Sequence, residues 1–154
     1  MTIYETKVKD FHTAMECDIS SPLSVDLLEL RYKLLKEELD ELKTEIDNIQ
    51  HELKSNGTSS TIARSKLLKE LTDLQYVLSG MAISFGLPLE DAFIRVHNSN
   101  MSKLVNGKPI KRDDGKVLKG PNYYPPVLDD LADTFKTSIF DSSVIITLLY
   151  CCLG

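Results

Sequence analysis

Two long helical segments joined by a short polar loop constrain the fold of this chain most strongly. Apolar side chains recur at helical spacing from about residue 24 to residue 54, and again from about residue 61 to residue 85. Residues 55–60 between them are glycine or small polar residues, a composition typical of a loop. Helices joined by so short a loop pack antiparallel. The sequence therefore predicts a helical hairpin within an all-α antiparallel bundle.

Shorter elements complete a predicted bundle of four to five helices. Residues 2–16 form the first helix, which ends before the Ser20-Ser21-Pro22 break, and residues 89–104 form the fourth. Residues 127–136 are predicted to form a last short helix. Side chains expected to face inward are Tyr4, Val8, Phe11 and Met15 in the first helix, and Leu89, Phe93, Val96, Met101 and Leu104 in the fourth.

A basic segment lies between the fourth and the last predicted helix. Residues 103–119 hold six basic and two acidic residues, so the rest of the chain carries 12 basic against 21 acidic residues, or −9, within a net charge of −5. Because Asp114-Gly115 favours a tight turn, residues 109–119 are predicted to form a short basic hairpin or loop. An acidic helical body with a basic loop suits a polyphosphate held between a metal ion and lysines. A merely solvated hairpin is the alternative.

Five carboxylates interrupt the apolar stripes of the helical hairpin. Glu37, Glu38 and Glu41 fall on the arc of the second helix that carries its leucines. Glu70 and Asp73, one turn apart, lie on an apolar stripe of the third helix. An unpaired buried carboxylate is strongly unfavourable, and these stripes hold no equal set of lysines or arginines. A divalent cation that takes oxygen ligands, such as Mg²⁺, resolves this conflict.

The register of the two helices supports a shared site. Glu38 and Glu41 stand about 13 to 16 residues before the loop, and Glu70 and Asp73 about 10 to 13 residues after it. In an antiparallel hairpin the two pairs therefore come level within about one turn. The alternative is a solvated face on which lysines at helical spacing are the partners, namely Lys33, Lys36 and Lys43.

These carboxylates carry a resemblance to a known superfamily. Glu37-Glu38-x-x-Glu41, followed after 28 residues by Glu70-x-x-Asp73, resembles the metal-binding signature of the all-α nucleoside triphosphate pyrophosphohydrolases. That superfamily includes the MazG proteins, the phosphoribosyl-ATP pyrophosphohydrolases and the dimeric dUTPases. Residues 97–104 and 114–121 are similar to the MazG-like branch that includes bacterial dUTP-hydrolysing members. The resemblance covers about residues 5 to 130.

The resemblance implies roles for individual residues. Mg²⁺, for which Mn²⁺ is a chemically acceptable substitute, would be held by Glu38, Glu41, Glu70 and Asp73, and Glu37 would act as general base or orient the attacking water. The candidates for substrate binding are Asn100 and Lys103 on phosphate or sugar, Lys119 on phosphate, Phe11 and His12 on the base, and Tyr76. Without such a role, Phe11 would be a core residue and His12 a surface residue.

The predicted reaction is hydrolysis of a (deoxy)nucleoside triphosphate between its α- and β-phosphates, with dUTP as the favoured substrate. Alternatives are dCTP, another non-canonical triphosphate, and phosphoribosyl-ATP, which the first helix and the basic loop favour less. A nucleotide-binding or helical oligomerisation protein without turnover is the non-enzyme alternative. The broad apolar face of the second helix predicts a homodimer or a dimer of dimers of the MazG-like kind, with a neighbour completing each pocket.

The remaining composition excludes other classes. A net charge of −5 argues against a general nucleic-acid binder. Cys17, Cys151 and Cys152 have no metal-ligand spacing, which favours reduced thiols in an intracellular protein. With no signal peptide and no apolar stretch of membrane-spanning length, we expect a cytoplasmic location. The expected domain spans residues 1–136, followed by an apolar tail, residues 137–154, without an assigned role.

Overall fold

Residues 1–133 are described by the structure, a computed structural model, and they are predominantly helical. The helices are α1 (Ile3–Ala14), α2 (Val25–Asn56), α3 (Thr61–Phe85) and α4 (Leu89–Met101), and residues 129–133 are helical as well. Within residues 1–133 there is no extended strand, so the predicted all-α class is confirmed. The predicted domain boundary at residue 136 and the apolar segment 137–154 lie outside the described residues.

Local sequence signals set the ends of the long helices. The Ser24 and Ser60 side chains accept hydrogen bonds from backbone amides in the first turns of α2 and α3. Gly57 and Gly86 end the two helices in the left-handed conformation, with φ of +70° and +65°. The hairpin predicted from the apolar spacing and the polar loop is thereby confirmed.

Residues 1–86 form one compact unit in which α3 packs on both α1 and α2. The C-terminal half of α3 contributes most to its buried core, through Ala82, Ile83 and Phe85. The linker between α1 and α2 is bound to the end of α3, because the Ser20 and Ser21 amides donate to the carbonyls of residues 83 and 84 at 2.9 and 2.7 Å. The backbone of the linker therefore fixes the entry to α2.

The buried face of α1 differs from the predicted one. Of the four apolar residues expected to face inward, only Val8 is buried, while Tyr4 and Met15 are almost 60% exposed, at 58% and 59%. Glu5 and His12 are buried instead. Both have local hydrogen-bond partners: Glu5 closes a capping box with Thr2, and His12 Nδ1 lies 2.9 Å from the carbonyl oxygen of residue 18. The prediction from hydropathy therefore assigned the wrong face of α1 to the core.

A second compact unit begins at Leu87 and contains α4 and the basic hairpin. The turn predicted in the hairpin is confirmed, since Lys111 and Val117 form an antiparallel bridge and Gly115 has a φ of +84°. The expected inward face of α4 is wrong, because Phe93 is 70% exposed. The side chain buried on α4 is Ser99, whose hydroxyl donates to a backbone carbonyl of the segment that follows the hairpin.

The expected inward positions of Val96 and Met101 are also exposed, and α4 ends at Met101 rather than at residue 104. The buried contact of α4 is therefore the hydrogen bond of Ser99 rather than the predicted apolar face. Among residues 1–133, no single helix combines the length and the apolar character needed to cross a bilayer.

Candidate metal centre

Carboxylates of α2 and α3 converge in the first unit. One carboxylate oxygen from each of Glu38, Glu41 and Glu70 lies within 4.8 Å of the other two. Glu70 is buried, Glu38 is half-buried and Glu41 is exposed, so the group opens from the helix interface toward solvent. The register expected for the antiparallel hairpin accounts for this convergence.

A lysine joins Asp73 to this group. Lys69 Nζ lies 2.7 Å from Asp73 Oδ2, 3.1 Å from Glu70 Oε2 and 3.9 Å from Glu41 Oε2. Hydrogen bonds with Asp73 and then Glu70 raise the pKa of Lys69, so its ammonium stays charged. We call Glu38, Glu41, Glu70 and Asp73 the acidic cluster. Lys69 had no role in the prediction from sequence.

The lysines considered as partners on a solvated face do not pair with the acidic cluster. Lys36 pairs with Asp40 and Lys43 pairs with Asp47, each one turn further along α2. Lys33 forms no ion pair among residues 1–133. Ordinary surface ion pairs therefore account for the outer face of α2 but not for its acidic inner edge.

The electrostatics of the acidic cluster favour a bound cation. Burial, followed by the negative charges of Asp73 and Glu41, raises the pKa of Glu38, and the charge of Lys69 opposes that rise only in part. One ammonium against four carboxylates leaves an excess of negative charge. Carboxylate oxygens are ligands for hard divalent cations, and 4.8 Å is slightly more than twice a Mg–O distance of about 2.1 Å. The number, charge and spacing of these oxygens therefore fit a divalent ion.

Glu37, the predicted general base, is exposed and lies outside the group of converging oxygens. It precedes Glu38 on α2, so its side chain points about 100° away around the helix. Among residues 1–133 it forms no ion pair, and its carboxylate is available to solvent.

The predicted base contacts of the first unit are close to one another. Phe11 and Tyr76 meet edge to face, with ring centroids 5.6 Å apart, and the His12 ring centroid lies 6.5 Å from that of Phe11. Tyr76 also lines a largely apolar cleft of about 490 Å³ formed by side chains of α1 and α3. The alternatives for Phe11 and His12 are both wrong: Phe11 is exposed, and His12 is only 3% exposed.

Sequence reasoning missed a buried arginine, Arg31, close to His12. Arg31 is 7% exposed, and its Nε has no hydrogen-bond partner within the described part of the chain. A Cβ at Gly80 would lie 3.3 Å from His12 Nε2 and 3.5 Å from Arg31 Nη1, so glycine permits both side chains to approach α3. Helical spacing was the available signal, because Arg31 precedes Glu38 by two turns on one face.

The predicted phosphate contacts lie together in the second unit. Lys103 Nζ donates to Asn100 Oδ1 at 2.6 Å, and Lys119 Nζ lies 4.3 Å from the centroid of the Tyr123 ring. Gly120 follows Lys119 and is so close to Lys103 that a Cβ would lie 2.8 Å from the Lys103 carbonyl oxygen. The structure therefore brings the end of α4 and the end of the hairpin together.

A helical hairpin whose facing carboxylates converge defines an all-α protein with a candidate divalent-metal centre. The family model for phosphoribosyl-ATP pyrophosphohydrolase matches residues 8–100, which include the whole acidic cluster. The chain belongs to this family, within the all-α nucleoside triphosphate pyrophosphohydrolases. Membership implies pyrophosphohydrolase activity on a nucleotide-like substrate. A comparison with curated proteins produced no match.

Proposed function

We propose that this chain is a Mg²⁺-dependent nucleoside triphosphate pyrophosphohydrolase that converts dUTP to dUMP and pyrophosphate, removing an unwanted triphosphate from the nucleotide pool. The convergence of Glu38, Glu41 and Glu70 beside Asp73, in a chain of pyrophosphohydrolase family, is the observation that carries the proposal. Phosphoanhydride hydrolysis requires neutralised charge and in-line positioning more than covalent catalysis. A cation held by the acidic cluster would supply the first requirement.

Glu38, Glu41, Glu70 and Asp73 would hold the metal, and Mn²⁺ suits the same oxygen ligands as Mg²⁺. When bound there, the ion supplies charge neutralisation on the phosphate oxygens and a more acidic water. Glu70 and Asp73 lie one turn apart on α3, so the helix keeps these two ligands at a fixed spacing.

Glu37 is proposed as the general base. Its exposed carboxylate, next to Glu38, is free to accept a proton from water. The water oxygen bonds to a phosphorus of the α,β-anhydride while the bond from that phosphorus to the bridging oxygen breaks. The water proton goes to Glu37, and the electron pair of the broken bond leaves with the departing phosphate group.

The candidate substrate-binding residues fall into two groups, one proposed for the nucleoside and one for the triphosphate. Phe11, His12 and Tyr76 are proposed to contact the nucleoside, which agrees with the mutual contact of Phe11 with the other two rings. Asn100, Lys103 and Lys119 are proposed to contact the triphosphate. These last three residues carry the donors and the positive charge that phosphate oxygens require.

The choice of dUTP rests on the likeness of residues 97–104 and 114–121 to the dUTP-hydrolysing MazG-like branch. Phosphoribosyl-ATP is a second candidate, because the matching family model is named for the enzyme that hydrolyses it. dCTP or another non-canonical triphosphate is a further alternative. Binding of a nucleotide without turnover is the alternative outside enzymes.

A homodimer or dimer of dimers is proposed as the active form. Exposed leucines on α2 and α3 support it, namely Leu30, Leu39, Leu68 and Leu71. Light scattering after size-exclusion chromatography measures the state, and a monomer at micromolar concentration contradicts this part of the proposal. The cytoplasmic location stays a prediction.

Release of pyrophosphate from dUTP, dCTP, UTP and phosphoribosyl-ATP in the presence of Mg²⁺ tests the proposed reaction. We expect the highest kcat/KM for dUTP, with dUMP as the second product. A higher kcat/KM for phosphoribosyl-ATP contradicts the dUTP assignment but keeps the reaction class. Saturable nucleotide binding without pyrophosphate release contradicts the enzyme assignment.

A further inference from the structure

Lys69 supplies positive charge to the acidic cluster from within α3. Its Nζ lies 2.7 Å from Asp73 Oδ2, 3.1 Å from both carboxylate oxygens of Glu70 and 3.9 Å from Glu41 Oε2. Among residues 1–133, no other lysine or arginine forms an ion pair with the acidic cluster. The ammonium therefore neutralises part of the charge that a metal ion would neutralise on the same oxygens.

An ammonium at this position competes with a divalent cation. The lone pairs of Glu70 and Asp73 that would ligate the ion already accept hydrogen bonds from Lys69. The Lys69 side chain is 60% exposed and has a flexible four-carbon stem, so it can rotate outward while α3 stays in place.

We propose that Lys69 is the resident counter-ion of the acidic cluster in the metal-free protein, and that metal binding displaces its ammonium from Glu70 and Asp73. This inference rests on the proposed metal-dependent function. It assigns Lys69 a positioning role: the lysine holds the carboxylates together before the metal binds and lowers the affinity for the metal.

The proposal predicts two effects of opposite sign when the charge is removed. Lys69→Met unmasks the repulsion among the carboxylates, so the metal-free protein loses stability. The same change frees the oxygens of Glu70 and Asp73, so the metal binds more tightly. A lysine with only a structural role would lower stability without tightening metal binding.

Thermal unfolding without nucleotide, in a chelator and then over a series of MgCl₂ concentrations, measures both effects. Lys66→Met is the matched control, because Lys66 lies one turn earlier on α3 and forms no ion pair among the described residues. We expect Lys69→Met to have the lower metal-free Tm of the two variants. The Mg²⁺ concentration that raises the Tm by a fixed amount above the metal-free value should be about two- to fivefold lower than in the native chain, the effect of one partly exposed charge pair.

The outcomes separate this inference from the proposed function. If Mg²⁺ raises the Tm of the native chain but Lys69→Met needs as much Mg²⁺ or more for the same rise, the role of Lys69 alone is overturned. A Glu70→Gln response equal to the native one overturns both the metal site and the role of Lys69, because the ion then binds elsewhere. No rise in the native chain overturns the metal site itself.

Brief acylation of the native chain followed by peptide mass spectrometry provides a measurement that needs no variant. An ammonium bound by two carboxylates is protected, and displacement exposes it. We expect Mg²⁺ to increase acylation of Lys69 at least about twofold while leaving Lys66 unchanged, a factor within the range of one exposed ion pair. Equal Lys69 acylation with and without Mg²⁺ overturns the proposal.

Discussion

Lys69 and Asp73 form an ion pair one helical turn apart on α3, with Nζ 2.7 Å from Oδ2. The pair places a positive charge at the edge of a group of carboxylates that arrives from two helices. Asp73 is therefore held in place by its own helix, while Glu38 and Glu41 reach the site from α2. The division of the acidic cluster between two helices means that any change to the α2–α3 packing also changes the site.

Asp73→Asn is expected to lower kcat/KM for the preferred nucleotide at least about a hundredfold, since it removes a charged oxygen from a proposed metal ligand. Asp40→Asn is the matched control, because Asp40 is an exposed carboxylate on α2 that pairs with Lys36. Its kcat/KM should stay within about twofold of the native value, as expected for a surface pair. Pyrophosphate release at several Mg²⁺ concentrations measures both. Similar losses in the two variants would contradict the assignment of Asp73.

Glu38 should make the metal-free protein sensitive to pH. Burial, then the charges of Asp73 and Glu41, raises its pKa in the folded protein above the ordinary 4.5. A carboxyl group with a raised folded pKa favours folding when protonated, so stability falls as the pH rises from 4.5 through the folded pKa. Glu38→Gln removes this loss.

Thermal unfolding in a chelator between pH 4 and pH 8 checks that expectation. Glu38→Gln should raise the Tm at pH 7, by on the order of 1–3 °C, and change it little at pH 4. The control is Glu29→Gln, an exposed position earlier on α2, which should leave the pH dependence unchanged. A Glu38→Gln profile parallel to the native one contradicts the prediction.

Gly86 and Gly57 allow the destabilisation caused by backbone strain at a helix end to be separated from that caused by crowding. Both are left-handed, with φ of +65° and +70°, but a Cβ at Gly86 would lie 2.9 Å from Ser20 Oγ, whereas a Cβ at Gly57 meets nothing within 4 Å. We expect Gly57→Ala to lower the free energy of unfolding by about 1 kcal/mol from backbone strain alone. Gly86→Ala should lower it by about 1 kcal/mol more, because of the added crowding.

Urea unfolding measures both glycine variants, and Ser20→Gly tests the source of the difference. In the Ser20→Gly background, the loss from Gly86→Ala should approach the loss from Gly57→Ala, since the neighbouring side chain is gone. Equal losses from the two alanine variants in the native background would show that crowding contributes nothing.

Arg95 connects α4 to the segment after the hairpin. It donates to Asp130 Oδ2 at 2.7 Å and to the Val127 carbonyl at 3.0 Å. Arg95→Met should therefore increase amide hydrogen exchange in residues 127–133 by about two- to fivefold, in keeping with a largely exposed pair. Arg112→Met, which breaks the ion pair with Asp114 inside the hairpin, is the control. Equal exchange in the two variants would contradict the anchoring role of Arg95.

The register of the acidic cluster could be predicted because it depends only on helical periodicity and on the length of the loop. Helical spacing puts Glu38 with Glu41 and Glu70 with Asp73, and the short loop fixes how the two helices align. The pairing of Lys69 with Asp73 was available from the same spacing, because the two residues are four apart on one helix, but only lysines of α2 were considered as partners. The contact of Lys69 with Glu70 was not available, because neighbouring residues lie about 100° apart around the helix and only the long flexible side chain of Lys69 brings its ammonium to Glu70.

The buried face of α1 could not be predicted from hydropathy, because its burial depends on specific hydrogen bonds. Glu5 and His12 are buried with the Thr2 backbone amide and the Asp18 carbonyl as partners. Neither partner is visible in a pattern of apolar residues. Helical spacing assigned the side chains of Tyr4 and Met15 to the core, but both are exposed to solvent in the structure.

The attachment of the α1–α2 linker to the end of α3 has a consequence for how this fold tolerates change. The two bonds join main-chain atoms of Ser20 and Ser21 to the last carbonyls of α3, which a free helix end would leave to water. Exchanging one small side chain for another there keeps both bonds. A deletion of Ser20 and Ser21 removes both donors at once and leaves the packing of α1 on α3 as the remaining attachment of the first helix.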